Sequence, residues 1–210
     1  MMINTIKNMI TSLFPDVWPI IIIITVIACS LRIAYIFKHK HKLCLYKELS
    51  MLIFIIYVMC LFEIVTFQDN NYGLSNFIPF KEMFRYELGS RLFVKNIVGN
   101  ILLFLPYGYF SADYLRSKRL FLPMFLTFIV SITIEMVQLN IGRTFDIDDV
   151  ILNTLGGVIG FWLYRLIDSI KNKLPKFFKT EGFMNFFVIL ILILFILYLC
   201  DLHMVEWLNY

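Results

Sequence analysis

Apolar residues along this chain fall into long blocks separated by short polar stretches, and each block approaches the ~20 residues that a helix needs to cross a bilayer core. Helices are expected near Val17 to Phe37, Tyr46 to Phe67, Asn96 to Ala112, Leu120 to Asn140, Asp149 to Ile167 and Phe183 to Cys200. The pattern therefore predicts an all-α, polytopic integral membrane bundle of about six transmembrane helices. The third and fifth blocks are short and contain glycine, so they are expected to be tilted, broken or kinked, with Pro106 bending the third. Spans this close together leave no stretch for a second soluble domain, and residues 1–210 read as a single membrane domain.

Composition agrees with block length. Hydrophobic residues make up 60% of the chain and charged residues 16%, against roughly 45–50% and 25% in soluble domains. The net charge of +4 says less than where the charges lie. Lys38, Lys40, Lys42 and Lys47, then Arg116, Lys118 and Arg119, then Arg165, Lys171, Lys173, Lys176 and Lys179 fall on one side. The other side carries Lys7, Lys81, Arg85, Arg91, Lys95 and Arg143, while Arg32 sits inside the first block with a stem long enough to snorkel. That bias of 12 to 6 predicts a multi-pass protein of the cell membrane with both termini outside. Lys7 and the run Val26-Ile27-Ala28-Cys29 resemble a lipoprotein cleavage box. Pro15 and Asp16 interrupt it, however, and an uncleaved first helix is the expectation. Cys29, Cys44, Cys60 and Cys200 show neither a disulfide framework nor zinc spacing.

The loop Gln68 to Lys95 mixes Phe77, Ile78, Pro79, Phe80, Met83, Phe84 and Tyr86 with Lys81, Glu82, Arg85 and Glu87. Such a mixture suits the headgroup region, as an amphipathic segment on the outer surface or as a lid over a lipid-facing site. Trp207 and Tyr210 read as interfacial anchors.

Polar residues inside apolar blocks carry the functional signal, because an ionisable group at mid-bilayer costs at least ~2.5–3.5 kcal/mol. Asn96 and Asn100 share a face of the third helix, and Glu135 and Gln138 share a face near the end of the fourth. Arg143, Asp146, Asp148 and Asp149 fill the following connection, and Asn153 stacks one turn beyond Asp149. With 1.5 Å rise per residue, Asn100, Glu135 and Asn153 all come to lie about 6–8 Å below the outer boundary. A polar pocket open to the outer leaflet is the expectation, with Asn96, Asn100, Glu135, Gln138, Arg143, Asp146, Asp149 and Asn153 as its ligand-binding residues. Each also has a plainer reading: aspartates cap helices, asparagines join helices, and Arg143 neutralises its neighbours. Glu135 is the strongest functional candidate, with Arg143 its expected partner; Glu63 in the second helix is a weaker member. Gly156, Gly157 and Gly160 are assigned to helix packing.

The order Asn76-x-x-Pro79-Phe80, Asn96-x-x-x-Asn100, Phe104-x-Pro106-x-Gly108, Glu135-x-x-Gln138, Arg143-x-x-Asp146-x-x-Asp149 and Asn153-Thr154-x-Gly156-Gly157-x-x-Gly160 resembles the VanZ-like family. The resemblance covers about residues 76–164 and leaves the first, second and sixth helices unmatched. It implies an association with resistance to teicoplanin, a lipid-tailed glycopeptide, without supplying a defined reaction. The partners implied are membrane lipids and a lipid-tailed glycopeptide or lipid-linked envelope precursor, with no nucleic acid and no cofactor. The alternative is a membrane enzyme acting on a lipid-linked envelope substrate, with Glu135, Asp146 and Asp149 as catalytic candidates. A transporter is disfavoured because the opposite halves of the spans carry little charge.

Overall fold

The computed structural model describes residues 22–38, 44–67, 75–87, 89–191 and 193. Among them it is a helical membrane bundle with no strand: α1 (22–38), α2 (Leu45–Phe67), α3 (Arg91–Leu115), α4 (Phe121–Asn140), α5 (Ile147–Lys173) and α6 (Glu181–Ile191). Helices α2 to α5 are each long and apolar enough to cross a membrane. Residues 17–21, 192 and 194–200 of the expected first and last helices lie outside the described residues, as do both termini with Trp207 and Tyr210.

The third and fifth helices are not short: α3 has 25 residues and α5 has 27. Apolar blocks mark what sits in lipid, whereas a helix continues as long as its residues favour it. Ser90 caps α3 by accepting the Phe93 N–H at 3.1 Å, which draws Arg91 and Lys95 out of the loop and into the helix. Helix α5 runs on through charged residues, with Arg165 and Asp168 at 3.9 Å and Asn172 donating to Asp168 at 3.3 Å. Pro106 lies within continuous helix. Its ring displaces the local ladder, and the Leu103 carbonyl takes the Tyr57 hydroxyl of α2 at 2.8 Å.

Helices α3 and α5 meet backbone to backbone. A Cβ on Gly108 would stand 2.1 Å from the Gly157 carbonyl oxygen, one on Gly156 2.3 Å from that of Ile101, and one on Gly160 2.1 Å from that of Leu105. Gly157 instead faces α4, where its Cβ would strike Thr127 at 2.4 Å. Apolar packing flanks this seam, with Phe104 and Leu61 on one side and Ala112, Phe161 and Tyr164 on the other.

The lysine-rich end is tied by polar contacts. Arg32 does not snorkel alone; it makes a bidentate pair with Glu48 at 2.7 and 2.9 Å. The Tyr46 N–H donates to Asn185 at 3.1 Å, and Lys47 pairs with Glu181 at 3.3 Å, joining α2 to α6. Since α3, α4 and α5 alternate in direction, the ends carrying the polar constellation gather opposite this cluster.

Candidate functional site

Helix α4 turns a polar stripe inward. Pro123, Thr127, Ser131, Glu135 and Gln138 are its buried positions, spaced four, four, four and three apart, as one face of a helix requires. Ser131 accepts from the Asn153 amide of α5 at 2.9 Å. Thr127 turns its hydroxyl back onto the Pro123 carbonyl at 2.8 Å, leaving a flat surface for Gly157.

The connection from α4 to α5 is set by one glycine. Gly142 has φ +86, a left-handed conformation that closes α4 with Gly142 N–H on Leu139 and Arg143 N–H on Gln138 at 3.3 and 2.9 Å. The reversal delivers Arg143 to the end of α4. Asp146 then caps α5, accepting the Asp148 N–H at 2.9 Å. Burial holds the Asp146 carboxyl above the ordinary aspartate range, while the hydrogen bonds from Asp148 N–H and the Asn76 amide pull the other way.

Asp148 does something the sequence does not announce. Its carboxylate, 1% exposed, gathers three backbone N–H groups of the preceding loop: Phe80, Glu82 at 2.8 Å and Met83 at 3.2 Å. Residues 75–87 thereby become a strap latched across the start of α5. Further ties come from Asn76, whose N–H meets the Phe145 carbonyl at 2.8 Å, whose carbonyl accepts from Ile147 at 3.0 Å, and whose amide donates to Asp146 at 2.9 Å. Phe80 adopts φ +67, in the left-handed region that costs a bulky L-residue roughly 1–2 kcal/mol. The strap presents Phe77, Phe80 and Phe84 outward at 68%, 49% and 86% exposure.

Between the strap and the ends of α3, α4 and α5 lies a cavity of about 160 Å³. Helix α3 contributes Lys95, Asn96, Ile97 and Asn100; α4 contributes Gln138. The connection adds Arg143, Thr144 and Asp146, and α5 adds Asp148, Asp149 and Leu152. Glu82, Met83 and Tyr86 come from the strap. Residues 94–98 form a π turn, which widens the α3 backbone where Lys95 and Asn96 enter the wall. Asn100 donates to Asp149 at 2.5 Å, and Tyr86 reaches the Asn96 side chain.

Six of the eight expected residues, Asn96, Asn100, Gln138, Arg143, Asp146 and Asp149, line this cavity. Glu135 and Asn153 do not. The Glu135 carboxylate is 2% exposed and accepts the Asp146 N–H at 2.9 Å, and the Arg143 charge acts on both Glu135 and Asp149. Asn153 is spent on Ser131, and its Oδ1 is a buried oxygen without a partner among the described residues. Glu63 is buried in α2, away from the cavity wall. Among the described residues no three acidic, histidine or cysteine side chains are grouped to hold a metal ion. The sequence reading missed Glu82, Tyr86, Lys95 and Thr144. The four-residue spacing of Thr127, Ser131 and Glu135 was a visible sign of the stripe, but nothing local foretold that the strap folds back onto Asp148.

The model of the VanZ/LLP1 family matches residues 49–168, more than half of the 210-residue chain. The chain belongs to the VanZ/LLP1 family. The match takes in most of α2, which the motif resemblance did not reach, together with α3, α4 and nearly all of α5. A VanZ relative is the protein named Protein VanZ from Enterococcus faecium, 34% identical over 107 residues, covering 50% of this chain and 63% of that protein. The matched stretch thus spans less than two thirds of the relative's length. No solved structure matches.

Proposed function

We propose that this VanZ-family protein binds the polar head of a lipid-tailed molecule at the outer leaflet and thereby lowers sensitivity to teicoplanin. The observation that carries the reading is the cavity itself: a polar chamber walled by three helix ends and a latched strap, beside three outward-facing phenylalanines. A tail stays in lipid against such side chains while the head enters the chamber. The lysine and arginine bias supports this outward orientation, with the opposite end toward the cytoplasm.

Size selects between the two ligand classes. Pockets for drug-sized ligands run to roughly 300–1,000 Å³, and this one holds about 160 Å³. It suits a small headgroup of an envelope lipid better than the body of a glycopeptide. Protection against teicoplanin then comes from altering the surface that a lipid-tailed drug meets.

Binding is favoured over catalysis because each acidic candidate already serves the architecture. Asp146 caps α5, Asp149 holds Asn100, and Glu135 holds the connection. The test is growth inhibition of a sensitive host expressing the protein, with teicoplanin compared to tail-less vancomycin. Wild type is expected to protect selectively against teicoplanin, and an equally expressed Arg143→Ala variant to lose that protection. Absence of protection by correctly inserted wild type would remove the resistance reading.

A further inference from the structure

The chamber is lined by both signs of charge. Glu82, Asp146, Asp148 and Asp149 stand in the wall with Lys95 and Arg143. Two of these carboxylates are absorbed by the fold: Asp148 by three strap N–H groups, and Asp146 by the α5 cap and Asn76. Glu82 is shared with Arg85 at 3.1 Å on the rim, and Asp149 accepts from Asn100 on one oxygen with the Arg143 charge acting on it. Lys95 is in no ion pair among the described residues, although it is only half-exposed in the wall. An ammonium has three donors and no acceptor, so Lys95 in this wall is open to an anionic group entering the chamber.

We propose that the chamber reads a zwitterionic lipid head, a phosphate ester bearing a primary ammonium a few atoms away. The phosphoryl oxygens meet Lys95, and the ammonium meets the carboxylate of Glu82, with Asp149 in the same wall. An anion alone would confront the wall carboxylates, and a cation alone would confront Lys95; a head carrying both satisfies each side. Three N–H donors distinguish a primary ammonium from a quaternary one, which has none to offer Glu82 and Asp149. Exposed Phe77 and Phe84 on the strap give the tail its exit. The inference rests on the headgroup reading of the chamber and names the chemistry of the head.

Calorimetric titration of the purified full-length protein in detergent tests it, with short-chain phosphatidylethanolamine, phosphatidylglycerol and phosphatidylcholine as probes and free phosphoethanolamine as a fourth arm. Phosphatidylethanolamine is expected to bind about tenfold more tightly than either other lipid, the effect of one charge-assisted contact. Lys95→Ala should weaken both phosphatidylethanolamine and phosphatidylglycerol, with Lys95→Arg restoring them. Glu82→Gln should abolish the preference for phosphatidylethanolamine and bind phosphatidylglycerol at least as tightly as wild type, which also shows that the variant is folded. Equal binding of the three lipids, or no effect of Lys95→Ala, overturns the proposal. Free phosphoethanolamine binding as tightly as the lipid overturns its lipid half. Teicoplanin protection without any head preference would sink this inference alone, whereas head preference without protection would sink only the resistance reading.

Discussion

At the scale of single residues, the strap depends on Asp148. A carboxylate offers two oxygens to three N–H groups, and an asparagine there offers one oxygen and an amide that would face those donors. Asp148→Asn is expected to cost the strap about 1–3 kcal/mol of local stability. Hydrogen–deuterium exchange in nanodiscs checks this, since the amides of Phe80, Glu82 and Met83 should exchange faster while those of α4 stay unchanged. Asp146 supplies a pH dependence whose sign follows from its raised pKa. An acid held above its unfolded value retains a proton in the folded state after the unfolded chain has lost it. Its contribution is therefore best at or below the ordinary aspartate range and declines as pH rises through the raised value. Asp146→Asn keeps an oxygen for the Asp148 N–H and removes the titration. Its thermal midpoint in detergent should fall less than that of wild type as pH rises above the ordinary aspartate value of about 3.9.

At the scale of elements, the α3–α5 seam tolerates no side chain at Gly108. Its Cβ would lie 2.1 Å from a carbonyl oxygen of α5, and backbone cannot step aside as a flexible side chain would. Gly108→Ala is expected to destabilise the bundle by roughly 1–3 kcal/mol through overpacking, read as a lower thermal midpoint in detergent. Gly99→Ala is the control, because its Cβ would meet only the Val94 carbonyl at an ordinary 3.6 Å. Element type was legible in the sequence because the apolar blocks and helix periodicity point the same way, and α2 and α4 lie where the blocks put them. The ends of α3 and α5 were not, since Arg91 and Asp168 are charged yet helical. Six of the fourteen wall residues were legible because polar groups such as Asn100 and Asp149 are out of place in an apolar setting. Glu135 lies behind the cavity wall rather than in it: beside the Arg143 charge expected from the sequence it accepts a backbone N–H eleven residues on, which no side-chain pattern displays. Lys95 and Glu82 escaped notice because charges in an apparent loop look like ordinary solvated groups.

At the scale of the whole molecule, orientation decides which leaflet the chamber serves. The proposed outward chamber rests on the bias of 12 lysines and arginines on the opposite side against 6 on the chamber side, and that orientation is open to direct test. The α3–α4 connection and the α4–α5 connection flank a single crossing by α4, and a residue in each must therefore face opposite sides. With the native cysteines replaced by serine, single cysteines at Lys118 and Thr144 report this in intact cells through a membrane-impermeant maleimide. Thr144→Cys is expected to label and Lys118→Cys to label only after the membrane is opened. The reverse pattern would turn the chamber toward the cytoplasm and remove any direct contact with a drug arriving from outside. Saturating phosphatidylethanolamine adds a second reading from the same residue, because Thr144 lines the chamber wall. A seated headgroup should slow labelling at Thr144→Cys without changing Lys118→Cys, which links the orientation of the fold to occupation of its cavity in one measurement.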